Sequence, residues 1–339
     1  MILRLALALA LIGFSGHAQG QSGVADFYRG KTVRVLIGFG PGGSSSLYAE
    51  LLARYMGRHL PGNPTVIGQH MPGAGGLAVV NHIASRSPRD GTEFAITSRN
   101  AAFEPLLGNA SAKFDPLALN WIGNANVETS VCVSWHTSPV KDAAAMLSQP
   151  FVGGGTGSDS LEVSMPKVLN AVAGAKIRVV SGYPSSVDIL LAMERGEVQG
   201  FCGIGWTYLK LRKADWLKDR KVNVLFQMAL AKHPDLPDVP QAQDLVAAPS
   251  AKAVIEVLLA PQDMGRPFFG PPGIPQERLT ALRDAFARTL ADPDFLRDAD
   301  KAGLEIQYTS GEAVEALLRR FNYTPRDVLE RAISVLRGG

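Results

Sequence analysis

The residues best suited to chemistry are glycines and hydroxyls gathered in three loops. The first loop runs Gly38-Phe39-Gly40-Pro41-Gly42-Gly43-Ser44-Ser45-Ser46, after an alternating apolar run and before a run of helical spacing. Gly38, Gly40 and Gly43 fit the G-x-G-x-x-G pattern of a dinucleotide-binding turn. The fit goes no further. Such a turn needs an acidic residue about 20 positions on for the ribose hydroxyls, and residues 51–89 contain no Asp or Glu. Pro41 removes an N–H from the turn, and no Lys follows the glycines as a P-loop requires. Two readings remain. One is a tight turn leading into a serine-capped helix. The other is an anion site, because backbone N–H groups and hydroxyls at a helix N-terminus suit a carboxylate. The second loop, Pro72-Gly73-Ala74-Gly75-Gly76, again joins a strand to a helix. The acid-free window around it carries Arg54, Arg58, Arg86 and Arg89, which give a positive background field rather than contacts. The third loop, Gly153 to Ser160, adds more hydroxyls and amides.

Other chemistry finds little support. His59, His70, His82, His136 and His233 are dispersed, and no pair has metal-ligand spacing. There is no G-x-S-x-G elbow and no carboxylate pair placed for acid–base work. The sequence therefore implies no metal, no cofactor and no enzyme. The net charge of +3 and the absence of any Lys/Arg run longer than two give no electrostatic footprint for nucleic acid. Arg99 follows a predicted strand and could pair a carboxylate bidentately, with Asn100 beside it; a solvated Arg is the alternative. Asp159 suits a helix cap. Trp206 could stack on an aromatic acid or wall a cleft, or pack in the core.

The elements that position these loops alternate along the 339 residues. Residues 1–18 come first, with Arg4 before the apolar run Leu5 to Phe14 and small residues at Gly16 and Ala18. They read as a secretory signal peptide, too short to span a bilayer. Export implies an oxidising compartment and a periplasmic address. There Cys132 and Cys202, both on predicted strands, suit a disulfide better than a metal site, with two buried thiols as the alternative. Strands are predicted at Lys31–Ile37, Pro64–Gln69, Glu93–Ser98, Asn120–Ala125, Ser130–Trp135, from Phe151, and at Ile177–Ser181, Val198–Cys202, Val222–Met228, Phe268–Gly270 and Glu305–Tyr308. Helices are predicted at Ser46–His59, Leu77–Ser85, toward Ala173, at Val187–Arg195, and near 241–247, 250–260, 275–290, 293–302 and 312–337. This alternation predicts an α/β protein with a largely parallel sheet covered on both faces. Lobe boundaries are expected near 125 and 228. That makes one discontinuous lobe of 24–125 plus 228–339 and a second lobe of 126–227.

The order of motifs carries a resemblance. YRGKTVRVLIGFGPGGSSS, MPGAGG and PRDGTEFAITS are followed by GGGTGSDS, VVSGYPSSVDILLAMERGEVQGFCG, HPDLPDVP and GPPGIPQERLTALRDAFARTLADPDF. The run, about residues 24–337, resembles the Bug family of periplasmic solute receptors, the substrate-binding components of tripartite tricarboxylate transporters. The resemblance implies a two-lobe, periplasmic-binding-protein-like (type II) architecture with a ligand cleft between lobes. The implied ligand is a small carboxylate, the implied partners are membrane transporter subunits, and a monomer is expected. A periplasmic sensing subunit for a signalling receptor is the alternative function. The family's first loop resembles P-G-G-x-x-D; Pro41-Gly42-Gly43 matches, while Ser46 stands at the Asp position. The resemblance assigns ligand contacts to Gly42, Gly43, Ser44, Ser45, Ser46, Gly73, Ala74, Gly75 and Gly76 in the first lobe. In the second lobe it assigns Thr156, Gly157, Ser158, Tyr183, Pro184 and Ser185.

Overall fold

The computed structural model describes residues 23–42, 44–156, 160–184 and 186–337. The signal peptide expected at 1–18 lies outside them. The chain begins with α1 (residues 23–28), β1 (Thr32–Ile37), α2 (Ser44–Met56), β2 (Thr65–His70), α3 (Leu77–Ser85), β3 (Glu93–Ile96) and β4 (Asn120–Asn124). Next come β5 (Ser130–Trp135), α4 (Ala143–Ser148), β6 (Pro150–Gly155), α5 (Leu161–Ala173), β7 (Lys176–Ser181), α6 (Ser186–Glu194), β8 (Gly200–Gly205), α7 (Trp206–Arg212), α8 (Ala214–Lys218) and β9 (Val222–Met228). The chain closes with α9 (Pro249–Leu259), β10 (Pro267–Gly270), α10 (Gln276–Leu290), α11 (Pro293–Lys301), β11 (Thr309–Ser310), α12 (Gly311–Asn322) and α13 (Arg326–Arg337).

Two compact units result. One holds the described residues up to Ala125 together with Arg266–Ala316; the other holds Asn126–Gly265 and the chain from Leu317 onward. The return therefore comes at Arg266, not near 228, and the C-terminal helix stays with the second unit. Burial explains both departures. Val254, Ile255 and Leu259 of α9, with Val328 and Ala332 of α13, close one core cluster with Met165 and Leu169 of α5 and Phe226 of β9. Separating these helices from their unit would expose that apolar surface, at about 25 cal/mol per Å².

The first unit is built on a six-stranded sheet, β11-β4-β10-β3-β1-β2. β2, β1 and β3 run parallel, while β10 opposes β3 and β4, and β11 opposes β4. Tyr48, Leu52 and Met56 recur every fourth residue along α2, so one face of the helix is buried against Val33, Val35 and Ile37 of β1. The second unit holds the five-stranded sheet β7-β6-β8-β5-β9. β7, β6 and β8 are parallel, and β5 opposes both β8 and β9. Both sheets are thus mixed rather than largely parallel. Alternation along β5 sends Cys132 to one face, with Phe151 and Met165, and Val131 and Val133 to the other, with Phe201 and Trp216.

Cys132 and Cys202 stand opposite each other on β5 and β8 and are joined by a disulfide, which leaves no free cysteine. The helix expected over 312–337 is two helices. Pro325 disfavours a helical Thr324, and α12 ends at Asn322. The strand expected at Glu305–Tyr308 is a loop, followed by the two-residue β11. Its anchors are Tyr48 OH, which donates to the Glu305 carbonyl at 2.6 Å, and the Gln307 N–H, which donates to Ala125 at 2.9 Å.

Candidate functional site

Parallel pairing sets the three loops of the first unit side by side. Ile37 at the end of β1 is in register with His70 of β2 and Ile96 of β3. The loops 38–42, 71–76 and 97–100 therefore leave one edge of the sheet at one level, where α/β sheets bind ligands. Gly38 N–H donates to Ile96 O at 3.0 Å, and Met71 N–H donates to Ile37 O at 2.8 Å. Gly38 lies against the second loop, since a Cβ there would come 2.8 Å from Val79 Cγ1 and 3.4 Å from Gly76 Cα. Gly76 is locked in turn. Its carbonyl accepts from Thr97 Oγ1 at 3.0 Å, and a Cβ would approach that hydroxyl to 2.5 Å.

The second loop has an unusual backbone. Ala74, Gly75 and Gly76 all adopt positive φ, at 48°, 63° and 96°. For Ala74, which carries a Cβ, such a conformation costs about 1–3 kcal/mol and persists only where its surroundings impose it. Gly73, Ala74 and Gly75 are exposed, while Gly76 is buried. Among the described residues the N–H groups of Ala74 and Gly75 have no hydrogen-bond partner. α3 follows with Gly76 as its N-cap, no side-chain cap and no acid in its first turn. Such a terminus carries partial positive charge and accommodates an anion.

The first loop contributes less hydroxyl than its serines suggest. Gly42 is exposed with φ 81°, Gly43 lies outside the described residues, and Ser44 opens α2. Ser45 is half-buried. Ser46 is fully buried, and its hydroxyl donates to Glu50 Oε1 at 2.6 Å, one turn along the same helix. His70 meets the same carboxylate oxygen through Nε2 at 3.3 Å and the Phe39 carbonyl through Nδ1 at 2.8 Å. Neither His70 nor Glu50 stands out in the sequence. The Ser-x-x-x-Glu spacing, which puts Ser46 and Glu50 on one face of α2, is the one signal that points to this cluster. In the third segment Arg99 is half-buried and Asn100 exposed, its N–H donating to Ser98 Oγ at 3.2 Å.

The second unit repeats the arrangement with different chemistry. Gly155 of β6 is in register with Ser181 of β7. The loops that follow are tied by Gly182 N–H to Thr156 O at 3.0 Å and Tyr183 N–H to Gly155 O at 3.3 Å. Thr156 donates its hydroxyl to Glu162 Oε1 at 2.6 Å. Glu162 is buried in the first turn of α5, over Gly203, where a Cβ would meet its side chain at 3.0 Å. Gly157, Ser158 and Ser185 lie outside the described residues. Tyr183 is half-buried against the sheet and Pro184 is exposed. Behind Thr156 a hollow of about 460 Å³ opens between α5 and β7, lined by Val163, Lys167, Asn170, Ser181 and Gly182 among others.

Trp206 packs in the core. It is 7% exposed among Leu209 and Trp216, and its Nε1 donates to Asp235 Oδ2 at 3.0 Å. Lys210 reaches the same oxygen at 2.6 Å. The Lys210 hydrogen bond first, then that of Trp206, holds the Asp235 carboxyl below its ordinary range. Among the described residues no group of three or more His, Cys, Asp or Glu could hold a metal ion, and no helix is long and apolar enough to cross a membrane.

No family model matches the chain. A UPF0065 protein of Bordetella pertussis is 24% identical over 311 residues, spanning 88% of this chain and 86% of that protein. The fold is that of a TctC solute-binding protein from Polaromonas, with a TM-score of 0.71 at 16% identity over 91% of this chain and 99% of the other. It is also similar to the periplasmic binding protein BugD, with a TM-score of 0.57 at 18% identity over 91% and 98%. MatC from Rhodopseudomonas palustris, with bound malate, gives 0.53 at 18% identity over 90% and 99%. These likenesses bear out the resemblance to the Bug family and the mixed α/β, two-sheet fold of periplasmic binding proteins. The neighbours are binding proteins, not enzymes.

Proposed function

We propose that this chain is a periplasmic receptor that captures a small organic carboxylate and delivers it to the membrane subunits of a tripartite tricarboxylate-type transporter. The observation that carries the reading is the second loop of the first unit. It presents the exposed, unpartnered amides of Ala74 and Gly75 at the uncapped start of α3, and amides so placed bind anions without a cationic side chain. Malate in MatC, a protein of the same fold, supports a carboxylate as ligand. The apolar run of residues 5–14 with small residues at Gly16 and Ala18 supports export.

The test is a thermal-shift panel of mono-, di- and tricarboxylates on the mature protein, followed by calorimetry. A true ligand at a hundred times its Kd should stabilise the fold by about 2.7 kcal/mol, and its methyl ester should bind far more weakly. Loss of uptake of that acid when the gene is deleted would place the receptor in transport. A panel in which no acid raises the melting temperature, or an ester that binds as well as its acid, overturns the reading.

A further inference from the structure

β7 is an outer strand of the second unit's sheet and pairs with β6 alone. Its other edge therefore turns away from the sheet. A side chain shows which main-chain groups lie on that edge. Asn170 of α5 donates its amide to the Ile177 carbonyl at 2.7 Å, and its oxygen accepts from the Ile177 N–H at 2.9 Å. Ile177 thus points both groups away from β6. Directions alternate along a paired strand, so Val179 and Ser181 point theirs the same way. Among the described residues the N–H and C=O groups of Val179 and Ser181 have no hydrogen-bond partner.

These residues border the hollow of about 460 Å³ between α5 and β7, a volume in the range of ligand pockets. Val163, Pro166 and Lys167 of α5 form one wall, and Ile177, Val179 and Ser181 of β7 form the other. Asn170 bridges the two walls where it clamps Ile177. A helix beside an open strand edge is the geometry in which an extended peptide adds as a further strand. Main-chain bonds then give affinity, and pockets for alternate side chains give specificity.

Charge narrows the occupant. Among the residues that line the hollow, Lys167 alone is charged. Lys176 and Arg178 are exposed at the intervening positions of β7. Glu162, the nearby acid, lies outside the lining and accepts from the Thr156 hydroxyl at 2.6 Å. The cations thus outnumber the acid along this edge. We propose that the hollow between α5 and β7 takes an extended acidic peptide segment of a partner protein, which pairs with Val179 and Ser181 as a further strand of the sheet. This goes beyond carboxylate capture and does not depend on it.

The probe is the blocked peptide acetyl-Val-Glu-Val-Glu-Val-amide, titrated into the mature protein by calorimetry, with amide NMR to locate it. The Val179 and Ser181 N–H groups should exchange quickly in the protein alone and become protected with the peptide. The lysine counterpart of the peptide should bind more weakly, and the acidic peptide should weaken as salt rises, because exposed charges are screened. The peptide has two alternate sets of amides. Methylating the set that faces β7 should lower affinity by about twofold to tenfold for each bond lost, and methylating the other set should do much less. Ser181→Pro removes one outward N–H without touching the ladder to β6, a position where an edge strand tolerates proline. It should stay folded by circular dichroism and bind more weakly. Lys176→Ala and Arg178→Ala, both at exposed positions, should lower affinity and flatten its salt dependence. No binding of the acidic peptide, equal affinity for its lysine counterpart, or a folded Ser181→Pro protein with wild-type affinity overturns the proposal. Shifts confined to residues 71–76 overturn it too, since the peptide's carboxylates then sit at the first unit's loops. Protection of Val179 and Ser181 by malate alone does the same, because the hollow then belongs to a small acid.

Discussion

Replacing Gly75 by valine separates a backbone anion site from a mere turn. The φ of 63° at Gly75 lies in the left-handed region, and nothing within 4 Å would meet an added Cβ. The folded state therefore suffers only from the backbone conformation, about 1–2 kcal/mol for a residue with a Cβ. The neighbouring Ala74 already tolerates φ 48°. The domain should stay folded with a lower melting temperature. Binding is a different matter. The new methyls occupy the open space above the Ala74 and Gly75 amides, which a carboxylate must enter. Losing one hydrogen bond to a charged acceptor costs about 1.5–3 kcal/mol, or about tenfold to a hundredfold in Kd. Gly76→Ala is the contrasting variant. Its Cβ would come 2.5 Å from Thr97 Oγ1 and 3.4 Å from Ser98 N, so stability should suffer more than in Gly75→Val. The assay is calorimetry with the best acid from the thermal-shift panel, together with circular dichroism of each variant. A folded Gly75→Val protein with wild-type affinity would refute the site.

Three further outcomes follow from two partly buried acids and the disulfide. Burial first, against the opposing effects of Arg320 and the Leu230 N–H, raises the Asp263 carboxyl to about 6. Its folded value exceeds its ordinary one, so the stability it confers at low pH is lost as pH rises from about 4 to about 6. Asp263→Asn should remove that loss and raise stability at neutral pH by no more than about 3 kcal/mol, read from urea melts at both ends of the range. Burial would raise the Asp292 carboxyl, but hydrogen bonds from His59 and Arg58 outweigh it and hold the group at about 2. That stability is present above the ordinary carboxylate range and lost as pH falls toward 2, so Asp292→Asn should flatten acid unfolding in that window. Reducing the Cys132–Cys202 bridge, which closes a separation of 70 residues, should cost about 4 kcal/mol in the chain-entropy model, and an unchanged urea midpoint after reduction would refute it.

What the sequence made legible was local. β5 and β9 fall at Ser130–Trp135 and Val222–Met228, the bounds read from their apolar patterns, and α3 at Leu77–Ser85. The part that escaped is tertiary. Nothing in the composition of 249–259 says which core receives Val254 and Ile255, so the return at Arg266 could not be read. The antiparallel direction of β5 and β10 is likewise invisible to a pattern that records only alternation. The glycines of the loops were legible because few other residues suit those turns. The partners of Ser46 and Trp206 were not, because each hydrogen bond depends on where a neighbouring side chain points: Glu50 in one case, Asp235 in the other. His70 is a lone histidine in the sequence, and a single ring says nothing until both its nitrogens have neighbours.

The serine at position 46 acquires a meaning from those neighbours. In the family that this chain resembles, the first loop resembles P-G-G-x-x-D; here Ser46 stands at the Asp position and donates to Glu50, one helical turn on, at 2.6 Å. A carboxylate at position 46 would be buried at the first turn of α2, where the side chain is fully enclosed. At position 50 it is half-exposed and within 3.3 Å of a histidine. A serine at position 46 therefore avoids a buried charge, which would need fixed partners to be tolerated. An anion at the glycine loops would then meet backbone amides, whose charge does not change with pH. On the proposed reading, strength of grip belongs to the Ala74–Gly75 backbone. Substitutions there should change affinity at every pH, whereas a substitution that leaves these amides exposed and unpartnered should not.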